Sequence, residues 1–173
     1  MKHWFRLALP LLLGALVPLS LAAQRATPSP PPPTMLFVCE HGTVKSLLAK
    51  VLFEEYAAQV GLNMQALSRG TKADSAVPPF MMQGLNADHV SLGAWTPKTL
   101  GVADLAVAAH VVSFDVPSSS TAAARAPKEQ WDGLPSVTKD YAAGRDAIKA
   151  RVHVLVDSLK RAETRGKSRA PRA

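Results

Sequence analysis

The chain has 173 residues, 47% of them hydrophobic and 19% charged, with 20 basic against 13 acidic side chains and a formal charge of +7. Its length suits one domain with a real core, and its single cysteine excludes an internal disulfide framework. The charge sits at the ends: residues 24–159 hold twelve side chains of each sign, while 160–173 hold six basic and one acidic. A nucleic-acid partner needs a basic folded face with aromatic stacking residues, so none is expected.

The first 23 residues read as a secretory leader. Lys2 and Arg6 form a basic start, an apolar run LALPLLLGALVPLSLAA follows, and Ser20-Leu21-Ala22-Ala23 offers small residues for cleavage. The alternative is an N-terminal membrane anchor, but Pro10, Gly14 and Pro18 interrupt a run already short of the ~20 residues a span requires. An exported, periplasmic or secreted protein with no stable membrane span after cleavage is the expectation. Residues 24–34 contain Pro30 to Pro33 in succession and read as an extended spacer. The folded domain is expected over 35–159, with 160–173 as a disordered basic tail.

Met35-Leu36-Phe37-Val38 is a short apolar run that fits a strand buried on both faces. Glu40 to Thr43 break it. Leu47, Leu48, Val51, Leu52 and Tyr56 then recur at helical spacing. Gln65 to Ser68 reads as a second strand ending in Arg69-Gly70-Thr71, and Val77-Pro78-Pro79 as a turn into a helix carrying Phe80, Met81 and Leu85. Thr96-Pro97 is expected to start another short helix. His110 to Phe114 is the third strand, followed by a mobile loop over 115–130, and Tyr141 to Leu159 is the last helix. Alternating strands and helices predict a parallel α/β sheet.

The stretch LFVCEHGTVKS, residues 36–46, carries the chemistry. A nucleotide-binding loop needs glycines six and one residues before its lysine; Cys39 and Val44 stand there instead. A thiol phosphatase has other needs. Its nucleophilic cysteine opens a loop whose amides converge on phosphoryl oxygens at a helix N-terminus, which also favours the thiolate. Cys39 is placed as that nucleophile, Lys45 six residues on as the cation, and Ser46 as a hydroxyl partner to the sulfur. Glu40, His41, Gly42, Thr43 and Val44 complete the phosphate-binding loop, with Gly42 supplying the positive φ of a tight turn. Cys39, Glu40 and His41 are also metal-ligand types, but adjacent residues rarely converge on one ion, and His89, His110 and His153 are isolated. No metal or other cofactor is expected.

Val38-Cys39-Glu40-His41-Gly42-Thr43-Val44-Lys45-Ser46 resembles the V-C-x-G-N-x-x-R-S loop of the low-molecular-weight protein tyrosine phosphatases and their arsenate reductase relatives. It is most similar to a bacterial C-E-H-G-x-x-K-S variant. Ser68-Arg69-Gly70-Thr71 resembles the S-A-G-T that closes the family's second strand, and Ala103-Asp104-Leu105 leads into its third. The resemblance spans about 35–159. It implies a three-layer α/β/α fold around a small parallel sheet of about four strands, and phosphate-monoester hydrolysis through a Cys39 thiolate on a phosphorylated small molecule or protein.

Two positions depart from the family pattern. Lysine stands at Lys45 where the family has arginine, keeping the charge but losing the planar two-pronged grip. The family's general acid is an aspartate directly before a proline. In Trp131-Asp132-Gly133-Leu134-Pro135 that place holds leucine, which leaves Asp132 as the first candidate and Asp115 as the second. The arsenate reductase branch uses further cysteines, which this chain lacks, so reduction would need an external thiol. Two non-enzyme readings stand beside hydrolysis: a catalytically weak module that binds an oxyanion or phosphoprotein, and a surface-binding protein driven by the basic tail. Substrate identity and oligomeric state are not legible.

Overall fold

A computed structural model describes residues 30–169; the expected leader therefore lies outside the described residues. The elements in chain order are β1 (Thr34–Cys39), α1 (Lys45–Gln59), β2 (Gln65–Gly70), α2 (Pro79–Ala87), α3 (Val102–Val107), β3 (Ala108–Ser113), a 3-10 turn (Ser118–Thr121), β4 (Lys128–Gln130) and α4 (Tyr141–Arg169). The four strands form one parallel sheet in the order β2-β1-β3-β4.

β1 is central and every residue in it is buried. Its alternation sorts the core into two layers, because successive side chains leave opposite faces. Met35, Phe37 and Cys39 join α1 and α4 through Leu47, Phe53, Ile148, Val152 and Val156. Leu36 and Val38 pack on the other face against Leu105 of α3, Val111 and Val116. The result is the expected three-layer α/β/α arrangement. Among the described residues no helix is long and apolar enough to cross a membrane.

Four expectations change. Thr34, assigned to the spacer, is the first residue of β1. No helix begins at Thr96-Pro97, because Gly70 donates to Lys98 O and Leu100 donates to Gly70 O, drawing this stretch alongside β2 in a bridge at Thr99. The segment 115–130 is not a bare loop. It contains the 3-10 turn and β4, an edge strand whose three side chains are all exposed. β4 is held by backbone bonds from Val111 N–H to Pro127 O and from Trp131 N–H to Ser113 O. Finally, α4 runs on to Arg169, so 160–169 is helical and only 170–173 lies outside the described residues. Lys160 and Lys167 flank Glu163 at helical spacing, and Lys160 Nζ also donates to Gly61 O at 2.6 Å.

The β2–α3 junction is tied by Arg69, whose Nε donates to Asp104 Oδ1 at 2.9 Å, while the Gly101 N–H donates to Asp104 Oδ2. Burial pushes the Asp104 carboxyl upward, but the Arg69 and Gly101 hydrogen bonds outweigh it and the net displacement is downward. A folded-state value below the unfolded one gives stability that is fully present above the ordinary aspartate value of about 3.9 and lost as pH falls through the folded value. Asp104→Asn is therefore expected to flatten the acid side of the stability profile, measured as urea midpoints at pH 3 to 6, and to leave little difference in shape above pH 6.

Candidate active site

β1 ends at Cys39 and α1 begins at Lys45, so the intervening loop turns at the C-terminal edge of the sheet and delivers the chain to a helix N-terminus. Leu48 N–H makes the first helical bond, to Val44 O. The amides before it have no intrahelical acceptor, which makes this end of α1 a natural anion site.

The Cys39 sulfur is 6% exposed as a residue and lies 2.9 Å from Ser46 Oγ, while Gly42 N–H donates to it at 3.2 Å. Behind Ser46 stands Ser68 on β2, its hydroxyl 2.9 Å from Ser46 Oγ and 2.8 Å from Gly42 O. A hydroxyl carries one hydrogen, so Ser68 donates to one of these and holds the other in contact. When the sulfur is ionised, Ser46 and the Gly42 amide both donate to it. Two donors converging on a thiolate make a preorganised nucleophile.

The loop is clamped from its outer side. Asp74 accepts from Thr43 Oγ1 at 2.5 Å and pairs with His41 Nδ1 at 3.0 Å, and its own N–H donates to His41 O. Thr71 and Lys72 N–H donate to Cys39 O and Glu40 O. Gly42 has φ +72°, and a Cβ there would come within 2.7 Å of Gly70 N; a Cβ on Gly70 would meet His41 C at 2.8 Å. The two loops touch backbone to backbone, and glycine on each side permits it. Glu40 turns outward with its side chain 63% exposed, leaving the cradle to the backbone.

A small cavity of about 190 Å³ opens over the sulfur, lined by Cys39, Glu40, His41, Val44, Lys45, Phe114, Asp115 and Thr138. A larger one of about 550 Å³ lies elsewhere, against α4, and contains no residue of the loop. In the small cavity Lys45 Nζ donates to Asp115 Oδ2 at 2.5 Å and reaches Leu134 O at 3.4 Å. Asp115 adopts φ +49°, an unusual conformation for a residue other than glycine. A reciprocal brace holds it: Asp115 N–H donates to Asp132 Oδ1 at 2.9 Å, and Gly133 N–H donates to Asp115 Oδ1 at 3.1 Å. Backbone strain held in this way clusters at functional sites.

This geometry reorders the two acid candidates. Asp115 lines the cavity beside Cys39, whereas Asp132 does not and instead accepts from Asp115 N–H and from Gln130 Nε2. Asp132 positions Asp115. The structure thus brings together Cys39, Gly42, Lys45, Ser46 and Asp115 and keeps Asp132 one contact away. Sequence reasoning missed Asp74, which stands 31 residues from Thr43 in a polar turn with no pattern of its own. Ser68 was signalled by the Ser68-Arg69-Gly70-Thr71 motif, but its contact with Ser46 was not. Among the described residues no group of three or more His, Cys, Asp or Glu side chains could hold a metal ion.

Residues 34–132 match the model of a family described as low molecular weight phosphotyrosine protein phosphatase. No curated protein matches the chain. Among solved structures, the chain is similar to a low molecular weight protein tyrosine phosphatase from Bacillus subtilis, at 21% identity and TM-score 0.63 over 74% of this chain and 97% of that one. It is similar to an arginine phosphatase from Geobacillus stearothermophilus at 18% identity and TM-score 0.61, covering 82% of this chain and all of that one. It is also similar to a thioredoxin-dependent arsenate reductase from Corynebacterium glutamicum at 22% identity and TM-score 0.61, over 76% of this chain and only 64% of the reductase. At these identities the structural likenesses establish the fold.

Proposed function

Because the chain belongs to the low molecular weight phosphotyrosine protein phosphatase family, we propose that it hydrolyses phosphate monoesters through Cys39, with Asp115 in the role of acid. The observation that carries this reading is the sulfur held by Gly42 N–H and Ser46 Oγ at the N-terminus of α1, in one cavity with Lys45 and Asp115. The Cys39 thiolate attacks phosphorus and forms an S–P bond as the ester P–O bond breaks. Protonated Asp115 gives its proton to the departing oxygen. Asp115 then takes a proton from water, whose oxygen attacks phosphorus; the S–P bond breaks, and inorganic phosphate and the thiolate are released. Lys45 and the loop amides hold the phosphoryl oxygens, and the phosphoryl group replaces Asp115 as the partner of Lys45 during turnover.

The experiment is hydrolysis of a small aryl phosphate by the protein and by Cys39→Ser. Turnover that falls at least about ten-thousandfold in the mutant is expected, since removing a nucleophile costs about that much or more. Equal turnover in both would exclude Cys39 as the nucleophile.

The Lys45–Asp115 contact supports a second reading, an anion-binding module with little turnover, because the cation is already paired with a carboxylate. Lysine also lacks the two-pronged grip of arginine, a loss on the order of 3 kcal/mol when one preorganised contact goes. No turnover in the intact fold, with phosphate still protecting Cys39 from alkylation, would favour that module. Arsenate reduction ranks below both, because Cys39 is the chain's single cysteine and a second thiol would have to come from outside.

A further inference from the structure

We propose that the Cys39 site selects phosphate monoesters that carry an ammonium group a few bonds from phosphorus, and that Glu40 is the residue that selects them. The inference rests on reading the Cys39 loop as a phosphate site, and it names the substrate class of that site. Glu40 follows Cys39 in the chain and lines the cavity over the sulfur, with its side chain 63% exposed. The other charges of the lining have partners. Lys45 Nζ donates to Asp115 Oδ2 at 2.5 Å, and His41 Nδ1 lies 3.0 Å from Asp74 Oδ1. Glu40 Oε2 stands 3.7 Å from His41 Nε2, beyond hydrogen-bond range. Even a protonated His41 ring would face two carboxylates, so one negative charge is left over. Among the described residues no lysine or arginine pairs with Glu40.

The floor and the mouth of the site therefore favour opposite charges. At the floor, Lys45 and the amides at the start of α1 favour a phosphoryl dianion. At the mouth, Glu40 repels a dianion that comes alone and attracts an ester that brings a cation with it. At a separation of about 6 Å and an effective dielectric of about 60, between bulk water and a protein surface, one unit charge changes affinity about fivefold. The lining also fits a short alkyl ester better than a flat aromatic one. The cavity is about 190 Å³, below the ~300 Å³ at which sites for drug-sized ligands begin. Among the described residues Phe114 is the only phenylalanine, tyrosine or tryptophan that lines it, and Phe114 is 1% exposed. No phenyl or indole ring stands at the mouth to cover an aryl group.

The test uses two phosphonates whose carbon–phosphorus bond the site cannot hydrolyse, 3-aminopropylphosphonate and butylphosphonate, which differ only in an ammonium in place of a methyl group. Each is titrated at neutral pH as a protectant of Cys39 against uncharged iodoacetamide in the full chain. Cys39 is the chain's single cysteine, so alkylation reads this site alone. The aminophosphonate is expected to bind about fivefold more tightly. Glu40→Gln should bring the two within about twofold of each other, and Glu40→Lys should reverse their order. Glu55→Gln removes the same charge about 15 Å along α1 from Lys45 and should keep the preference. Equal protection by both compounds in the wild type would overturn the proposal and leave the phosphate site standing. So would a preference that survives Glu40→Gln, or one lost equally in Glu55→Gln. Protection by neither compound would overturn the proposal together with the phosphate-site reading on which it rests. A preference in protection, with no turnover of phosphoethanolamine or of an aryl phosphate, would support selection by Glu40 and overturn hydrolysis alone.

Discussion

Asp115→Asn is expected to bind inorganic phosphate about tenfold more tightly than the wild type while losing roughly 100- to 1,000-fold in kcat on phenyl phosphate. The two effects have separate causes. The Asp115 carboxylate accepts from Lys45 Nζ at 2.5 Å, and a phosphate dianion must take that cation from it. Neutralising the carboxylate removes both the competitor and a negative charge facing the ligand, an effect of about tenfold at the dielectric of a partly open cavity. The loss in kcat follows from removing the proton donor, a contribution of about 10² to 10⁴ for a positioned acid. Asparagine keeps an oxygen for Gly133 N–H, so the brace that holds residue 115 at φ +49° survives. The leaving group sharpens the test. Nitrophenolate departs without a proton, so the defect should shrink on nitrophenyl phosphate. A defect of equal size on both esters, together with weaker phosphate binding, would make Asp115 a support for Lys45 and no acid.

Gly42→Ala is expected to destabilise the fold by about 2–5 kcal/mol and to abolish turnover. An L-residue at φ +72° costs about 1–2 kcal/mol. The added Cβ would stand 2.7 Å from Gly70 N, a backbone atom that cannot swing aside, and overpacking of this kind costs about 1–3 kcal/mol. Gly61→Ala provides the comparison. Its φ is +66°, but its Cβ would meet only the flexible Lys160 Nζ at 3.9 Å. It should lose about 1–2 kcal/mol, the conformational cost alone, and keep its activity. Urea denaturation of the two variants separates them; equal losses would mean that the close approach of the two loops carries no energy.

The nucleophile loop was legible because its chemistry depends on local spacing. A buried strand, one glycine-containing turn and a helix start fix where Cys39, Lys45 and Ser46 stand relative to one another, whatever the rest of the chain does. β1 was legible for a similar reason, since a strand buried on both faces must be apolar throughout. β4 was not, because an edge strand needs only backbone partners, and Lys128-Glu129-Gln130 carries no apolar alternation. The end of α4 was hidden by charge: a basic run reads as solvated tail, yet the Lys160–Glu163–Lys167 ladder and the Gly61 carbonyl support helix through it. Nearness to Pro135 puts Asp132 first in the sequence, whereas in the structure it is Asp115 that lines the cavity with Cys39. What brings Asp115 into the cavity that Cys39 lines is a tertiary brace, in which the backbone at Asp115 turns into the left-handed region and Asp132 holds it from behind. Asp74 could not be read at all, since its clamp on His41 and Thr43 exists only after β1 and β2 have paired.

The central claim is that Cys39 carries the phosphoryl group during turnover, and acid-quenching the enzyme within its first turnovers of an aryl phosphate tests it most directly. Mass spectrometry of the quenched protein should find one phosphoryl group on the peptide containing Cys39, absent in Cys39→Ser. Turnover without any phosphorylated Cys39 peptide, in the slowed Asp115→Asn variant as well as in the wild type, would contradict the account and require water to attack phosphorus directly.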